Sequence, residues 1–150
     1  MIEIQADMWA MIPEHNPNAV CVTTCQVTNS RGHLVMGAGI AKQAKERHPD
    51  LPRFWGQSIH EGQEDDIIVT FKLAPYALVA FHTKAHWKDP SIPSLIRKSA
   101  TSLLTVADRK KWECVFLPRP GCSNGGLRWE SVKPILEDVG LDDRFLIFSH

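Results

Sequence analysis

Two stretches of this chain have the residues to meet a charged ligand with main-chain groups. The first is Met36-Gly37-Ala38-Gly39-Ile40-Ala41, the second Gly121-Cys122-Ser123-Asn124-Gly125-Gly126-Leu127. Glycine lets backbone approach a ligand closely, and a helix that follows points its free N–H groups at an anion. The first segment is not a P-loop, because no Gly-Lys-Ser/Thr follows it. Nor is it a Rossmann fingerprint, since Lys42 stands where a third glycine would be. Taken alone, it reads equally well as a tight strand-to-helix turn. The second holds three glycines and an Asn within six residues, more than a turn needs. Most of its positions can offer N–H groups in a concave nest. Two such loops in one small domain read as two walls of a diphosphate site.

Between them lies Phe81-His82-Thr83-Lys84-Ala85-His86-Trp87-Lys88. The plain reading of this stretch is a solvated basic turn at a strand end. His82 and His86 have a metal-like spacing, but no zincin Glu and no third ligand accompany them, so no metal is expected.

The elements that must position these segments follow from the apolar pattern. Strands are expected over Met1–Gln5, Ala19–Thr28, Ile67–Leu73, Tyr76–Thr83, Glu113–Leu117 and Arg144–Phe148. Helices are expected over Gly37–His48 before Pro49, Leu51–Glu61 before Gly62, Ser91–Lys110, and Trp129–Val139 with Gly140 as its C-cap. Strands interleaved with helices predict an α/β sandwich around a central sheet, with both glycine loops at the carboxyl ends of strands.

The 150 residues suit one domain, spanning 1–150, and 43% hydrophobic with 23% charged residues suits a globular chain. Formal net charge is zero, which weighs against a non-specific nucleic-acid binder driven by counterion release. DNA or RNA would have to be met through a local patch or one modified nucleotide. Cys21, Cys25, Cys114 and Cys122 have neither zinc-ribbon nor disulfide-framework spacing, and Cys21 and Cys25 read as buried thiols. No signal-peptide pattern opens the chain and no apolar run reaches the ~18 residues of a bilayer span. A cytoplasmic, monomeric protein with no membrane partner is expected.

The order Asp7-Met8, Asn29, Met36-Gly37-Ala38-Gly39-Ile40-Ala41, Thr83-Lys84-x-His86-Trp87 and Gly121-Cys122-Ser123-Asn124-Gly125-Gly126-Leu127-x-Trp129 resembles that of macro domains, from about residue 2 to the C-terminus. Within them it is most similar to the branch holding the DarG-type antitoxins, which remove ADP-ribose from DNA, and the terminal ADP-ribose protein glycohydrolase. The resemblance implies a three-layer α/β/α sandwich with a mixed sheet, ADP-ribose as ligand and no cofactor. It implies that Asp7 accepts from the adenine amino group and that Met8 lies beside it. Met36, Gly37, Ala38, Gly39 and Ile40 would wrap the distal ribose and a phosphate, with Asn29 nearby. Gly121, Cys122, Ser123, Asn124, Gly125, Gly126 and Leu127 would bind the diphosphate. Thr83 precedes Lys84, which matches the lysine that acts in catalysis.

The chain departs from these relatives in places. Residues 29–35 look longer than their antitoxin counterpart. Gly125 stands where the protein glycohydrolase has an acid, which favours a nucleic-acid acceptor over a protein one. Ending at His150, the chain would reverse a modification without caging a partner enzyme. Three activities remain open: an ADP-ribosyl glycohydrolase, an ADP-ribose reader without chemistry, and an ADP-ribose 1″-phosphate phosphatase. In the first, Lys84 is either a nucleophilic amine or a proton donor.

Overall fold

A computed structural model describes residues 1–61 and 66–150. Gly62, expected to stop the second helix, lies outside the described residues. Six strands form one sheet: β1 (Ile2–Gln5), β2 (Ala19–Cys25), β3 (Ile67–Thr70), β4 (Ala77–Lys84), β5 (Val115–Pro118) and β6 (Phe145–Ser149). Their order is β1-β6-β5-β2-β4-β3, and every pairing is parallel except β3 against β4. Among the described residues five α-helices accompany them: α1 (Ile12–His15), α2 (Gly39–Arg47), α3 (Leu51–His60), α4 (Pro93–Lys110) and α5 (Trp129–Val139).

Alternation along the central strands divides the core into two layers. Cys21, Val79 and Phe81 face α4 and α5, packing with Ile96, Leu103, Val132 and Leu136. Val20, Val22, Leu78 and Ala80 face the other way, toward Ala44 of α2 and Leu51 and Trp55 of α3. Successive side chains on a strand point to opposite faces, so a strand buried on both sides reads as the continuous apolar run seen in β2 and β4. The result is the three-layer α/β/α sandwich with a mixed sheet.

Several boundaries differ from the expected ones. β2 stops at Cys25, three residues before Thr28, where its register against β4 shifts after Thr24. α2 starts at Gly39 because Ala38 is still extended, at φ −149° and ψ 158°. A 3-10 turn over Trp9–Met11 and the short α1 fill a stretch for which periodicity gave no element. Gly140 ends α5 at φ 102°, the left-handed conformation expected of its C-cap role. All four cysteines are free thiols; Cys21 is fully buried, and burial pushes its ionisation far up. No described helix is long and apolar enough to cross a membrane.

Candidate functional site

The carboxyl ends of β1, β2, β4, β5 and β6 open into one cleft of about 1090 Å³. Parallel strands deliver their chain ends to one edge, and loops leaving that edge supply the walls.

The first wall is the turn into α2. Gly37, Ala38, Gly39 and Ile40 line the cleft. No side chain caps the α2 N-terminus, so its leading N–H groups and the positive end of its dipole face the opening. The second wall is the 121–127 loop. Within it the N–H groups of Cys122, Gly126 and Leu127 are bonded to Arg119 O, Ser123 O and Gly121 O. Those of Ser123, Asn124 and Gly125 have no acceptor among the described residues. Three consecutive free N–H groups in a glycine turn form an anion nest.

The two walls meet at Asn124. Gly39 has φ +56°, a conformation that favours glycine, and a Cβ there would stand 2.8 Å from the Asn124 amide nitrogen at the tip of that side chain. Lys84, the last residue of β4, reaches the same residue from the third side: its Nζ donates to Asn124 O at 3.5 Å. Beneath the second loop sits Ser91, which the sequence did not single out. Its N–H donates to Gly125 O at 3.0 Å, while its own buried hydroxyl has no partner among the described residues. A Cβ on Gly125 would lie 2.1 Å from that hydroxyl and 2.6 Å from Gly121 O. There is no room for any side chain at 125, acidic or otherwise.

At the far end, Asp7 and Met8 follow β1 and line the cleft. One carboxylate oxygen of Asp7 accepts the Trp9 N–H at 3.0 Å, so Asp7 also caps the turn that begins there. Trp129 stands nearby. Its indole N–H donates to Glu3 at 2.7 Å and Arg119 lies over its ring at 4.8 Å. Glu3 accepts in addition from Lys133 and Arg119, and the Lys133 bond leads in holding its carboxyl below the usual range.

Of the residues singled out in the sequence, Asp7, Met8, Gly37, Ala38, Gly39, Ile40, Thr83, Lys84, Gly121, Cys122, Ser123, Asn124, Gly125 and Leu127 come together around this cleft. Three do not line it. Met36 is 3% exposed and points into the core under α2. Gly126 turns outward at φ +75°. Asn29 uses its amide oxygen on the N–H groups of Arg31 and His33, closing its own turn in a loop that leans on α3 through Leu34 N–H to Pro52 O. Burial pushes the Cys122 thiol up to about 11. His82 is buried and bonded to Thr24 Oγ1 at 2.8 Å, so it is not paired with His86 for a metal, and no metal-binding cluster exists among the described residues. Sequence reasoning missed Arg119, Trp129 and Phe148 as lining residues. The rule that parallel strand ends build the site points to the ends of β5 and β6, and so to Arg119 and Phe148. No local signal marks Ser91.

The macrodomain of Thermus aquaticus DarG superposes with a TM-score of 0.80 at 26% identity, covering 99% of this chain and 97% of that one. The macrodomain of Mycobacterium tuberculosis DarG gives the same values. The chain has the macro-domain fold. Its curated relatives point the same way. The DNA ADP-ribosyl glycohydrolase of M. tuberculosis is 33% identical over 104 residues, 66% of this chain, and that of T. aquaticus 29% identical over 110 residues. The chain spans about 30% of the length of those relatives. Thermosipho africanus DarTG, solved in complex with ADP-ribose, shares the fold at a TM-score of 0.79 and 20% identity, covering 99% of this chain and 41% of that one. No family model matches the sequence.

Proposed function

We propose that this macro domain binds ADP-ribose along the cleft and hydrolyses the bond joining it to a macromolecule. Adenine sits at Asp7 and Met8. The diphosphate lies between the α2 N-terminus and the Ser123–Gly125 N–H groups, where aligned donors replace water around a double negative charge. The distal ribose then reaches the mouth, under Lys84. The observation that carries this reading is the meeting of Lys84, Gly39 and Asn124 at one point. An amine beside both glycine loops supports assigning Lys84 to the anomeric end of a bound ADP-ribose.

Hydrolysis there passes through positive charge at the anomeric carbon. Lys84 gives a proton to the departing atom as the glycosidic bond breaks, and water completes the ribose. Proton donation is favoured over attack by the amine because position 125 offers no space for a partner acid. The same crowding supports a nucleic-acid acceptor over a protein carboxylate ester. The relatives named for removing ADP-ribose from DNA support it independently.

The test is release of ADP-ribose from ADP-ribosylated DNA and ADP-ribosylated protein side by side. Lys84→Ala should abolish turnover and leave ADP-ribose affinity within a fewfold. Borohydride should trap no adduct, because proton donation forms no imine. Full activity of Lys84→Ala would remove the catalytic assignment. Inactivity of the wild type on every substrate would leave a reader of ADP-ribose.

A further inference from the structure

The segment that carries Lys84 out of β4 continues into a feature that the reaction does not use. Trp87 is 51% exposed, yet it lines the mouth of the cleft three residues beyond Lys84. Of the five tryptophans, Trp9, Trp55 and Trp112 are buried and Trp129 is half-buried; Trp87 alone stands in water. Leaving a large apolar ring exposed forfeits the burial that its type normally obtains.

The ring is also held. The His86 imidazole stacks on it at 5.5 Å between centroids and 29° between planes. Lys88 N–H donates to His86 Nδ1 at 3.1 Å, Asp89 N–H donates to His86 O at 3.1 Å, and Lys88 Nζ lies 5.2 Å from the indole centre. The two residues that close the segment are tied down as well, Ser91 to Gly125 O and Ile92 to Thr83 O. The turn therefore presents an aromatic face beside a cation instead of letting the ring collapse onto the domain.

Cations outnumber carboxylates around the cleft. The chain is neutral overall, but the charged side chains lining the cleft are Lys84, Arg119 and Arg128 against Asp7 alone; Asp7 and Arg119, the latter paired with Glu3, lie at the adenine end, which leaves Lys84 as the cation next to the turn. Lys88 adds a further cation outside, with Asp89 the one carboxylate on the turn. An aromatic face flanked by cations fits a ligand that has both π-faces and phosphates.

We propose that Trp87, with His86 and Lys88, is the docking platform for the acceptor side of the substrate: an unpaired nucleobase stacks on Trp87 while a neighbouring phosphate faces Lys88. This rests on the reading of the cleft as an ADP-ribose site. The base must be unpaired because stacking within a duplex covers both of its faces. A peptide acceptor brings neither the extended π-face nor the regular phosphate charge.

The test measures binding in a Lys84→Ala background, where substrate persists. The probes are free ADP-ribose, a short single-stranded oligodeoxynucleotide carrying one ADP-ribosylated base, and an ADP-ribosylated peptide. The oligonucleotide should bind more tightly than free ADP-ribose. Adding Trp87→Ala should weaken the oligonucleotide by roughly fivefold to a hundredfold, the range of one base–aromatic stack. Trp87→Phe should restore most of it, and free ADP-ribose should stay within about twofold throughout. An oligonucleotide that binds no more tightly than ADP-ribose, or a Trp87→Ala loss that is equal for oligonucleotide and peptide, would overturn the proposal. Failure of free ADP-ribose to bind even the wild type would instead sink the reading of the cleft, and the platform with it.

Discussion

Replacing Gly125 by alanine adds one methyl group where the 121–127 loop has no space. Its Cβ would stand 2.1 Å from Ser91 Oγ, 2.6 Å from Gly121 O and 2.8 Å from Gly121 Cα, whereas ordinary contact begins at 3.4 Å. Ser91 can rotate its hydroxyl aside, and it loses no hydrogen bond in doing so. The Gly121 main chain cannot rotate away. It must shift by about 0.6–0.8 Å, which strains the bond from Leu127 N–H to Gly121 O. Overpacking of this kind costs about 1–3 kcal/mol, a fall in Tm of about 2–12 °C for a chain of this size. The same shift displaces the Ser123–Gly125 N–H groups, so ADP-ribose affinity should fall by about tenfold or more, roughly 1.4 kcal/mol. Adding Ser91→Ala should recover only the smaller part of both losses, because the Gly121 backbone contact remains. Thermal melts and calorimetric titration of the single and double variants decide it. Gly125→Ala with wild-type Tm and wild-type affinity would refute the crowding on which the choice of acceptor rests.

Asp7→Ala should weaken ADP-ribose binding by roughly ten- to a hundredfold, the ~1.5–3 kcal/mol of a charged hydrogen bond, and lower Tm as well, since Asp7 caps the Trp9 N–H. Asp7→Asn keeps an acceptor for that N–H, so its Tm should hold while its affinity falls; an Asp7→Ala protein that melts early but binds normally would reduce Asp7 to a cap. His82 gives a pH signature. Burial lowers its pKa from 6.5 to about 4, so the unfolded chain takes up a proton below pH 6.5 that the folded chain refuses until about pH 4. This contribution, of about 3 kcal/mol, is fully present above pH 6.5 and drains away as pH falls toward 4. Denaturant titrations from pH 7 to pH 4.5 should show a steeper loss for wild type than for His82→Gln, and parallel curves would contradict the assignment.

The fold was legible wherever one strand or helix carried its own periodicity. β2 and β4 read as uninterrupted apolar runs because both their faces are covered, and Gly140 marked the end of α5 by chemistry local to that position. The glycine loops were legible for the same reason: what makes them a site, free N–H groups on a tight turn, resides in a few adjacent residues. What escaped depends on partners far away in sequence. Ser91 matters because the loop 30 residues on lies against it. Asn29 is a local case: it does not line the cleft, and its amide oxygen accepts from the Arg31 and His33 N–H groups in its own turn. Met36 shares a glycine-rich string with five residues that line the cleft, yet its side chain is long and apolar and goes to the core. Residues 6–18 gave no period because Pro13, Pro17 and two asparagines break it, so the turn at Trp9 and α1 were invisible.

On the proposed reading the cleft is shaped for a diphosphate joining two ribosides, with the anion met by main-chain N–H groups alone. Calorimetric titration of the wild-type protein with ADP-ribose and with AMP, both in EDTA, tests it directly. ADP-ribose should bind more tightly by at least tenfold, because AMP reaches only the Asp7 end and leaves the α2 N-terminus and the Ser123–Gly125 nest empty. Equal affinities for the two ligands, or binding of ADP-ribose that appears only when a divalent ion is restored, would contradict it.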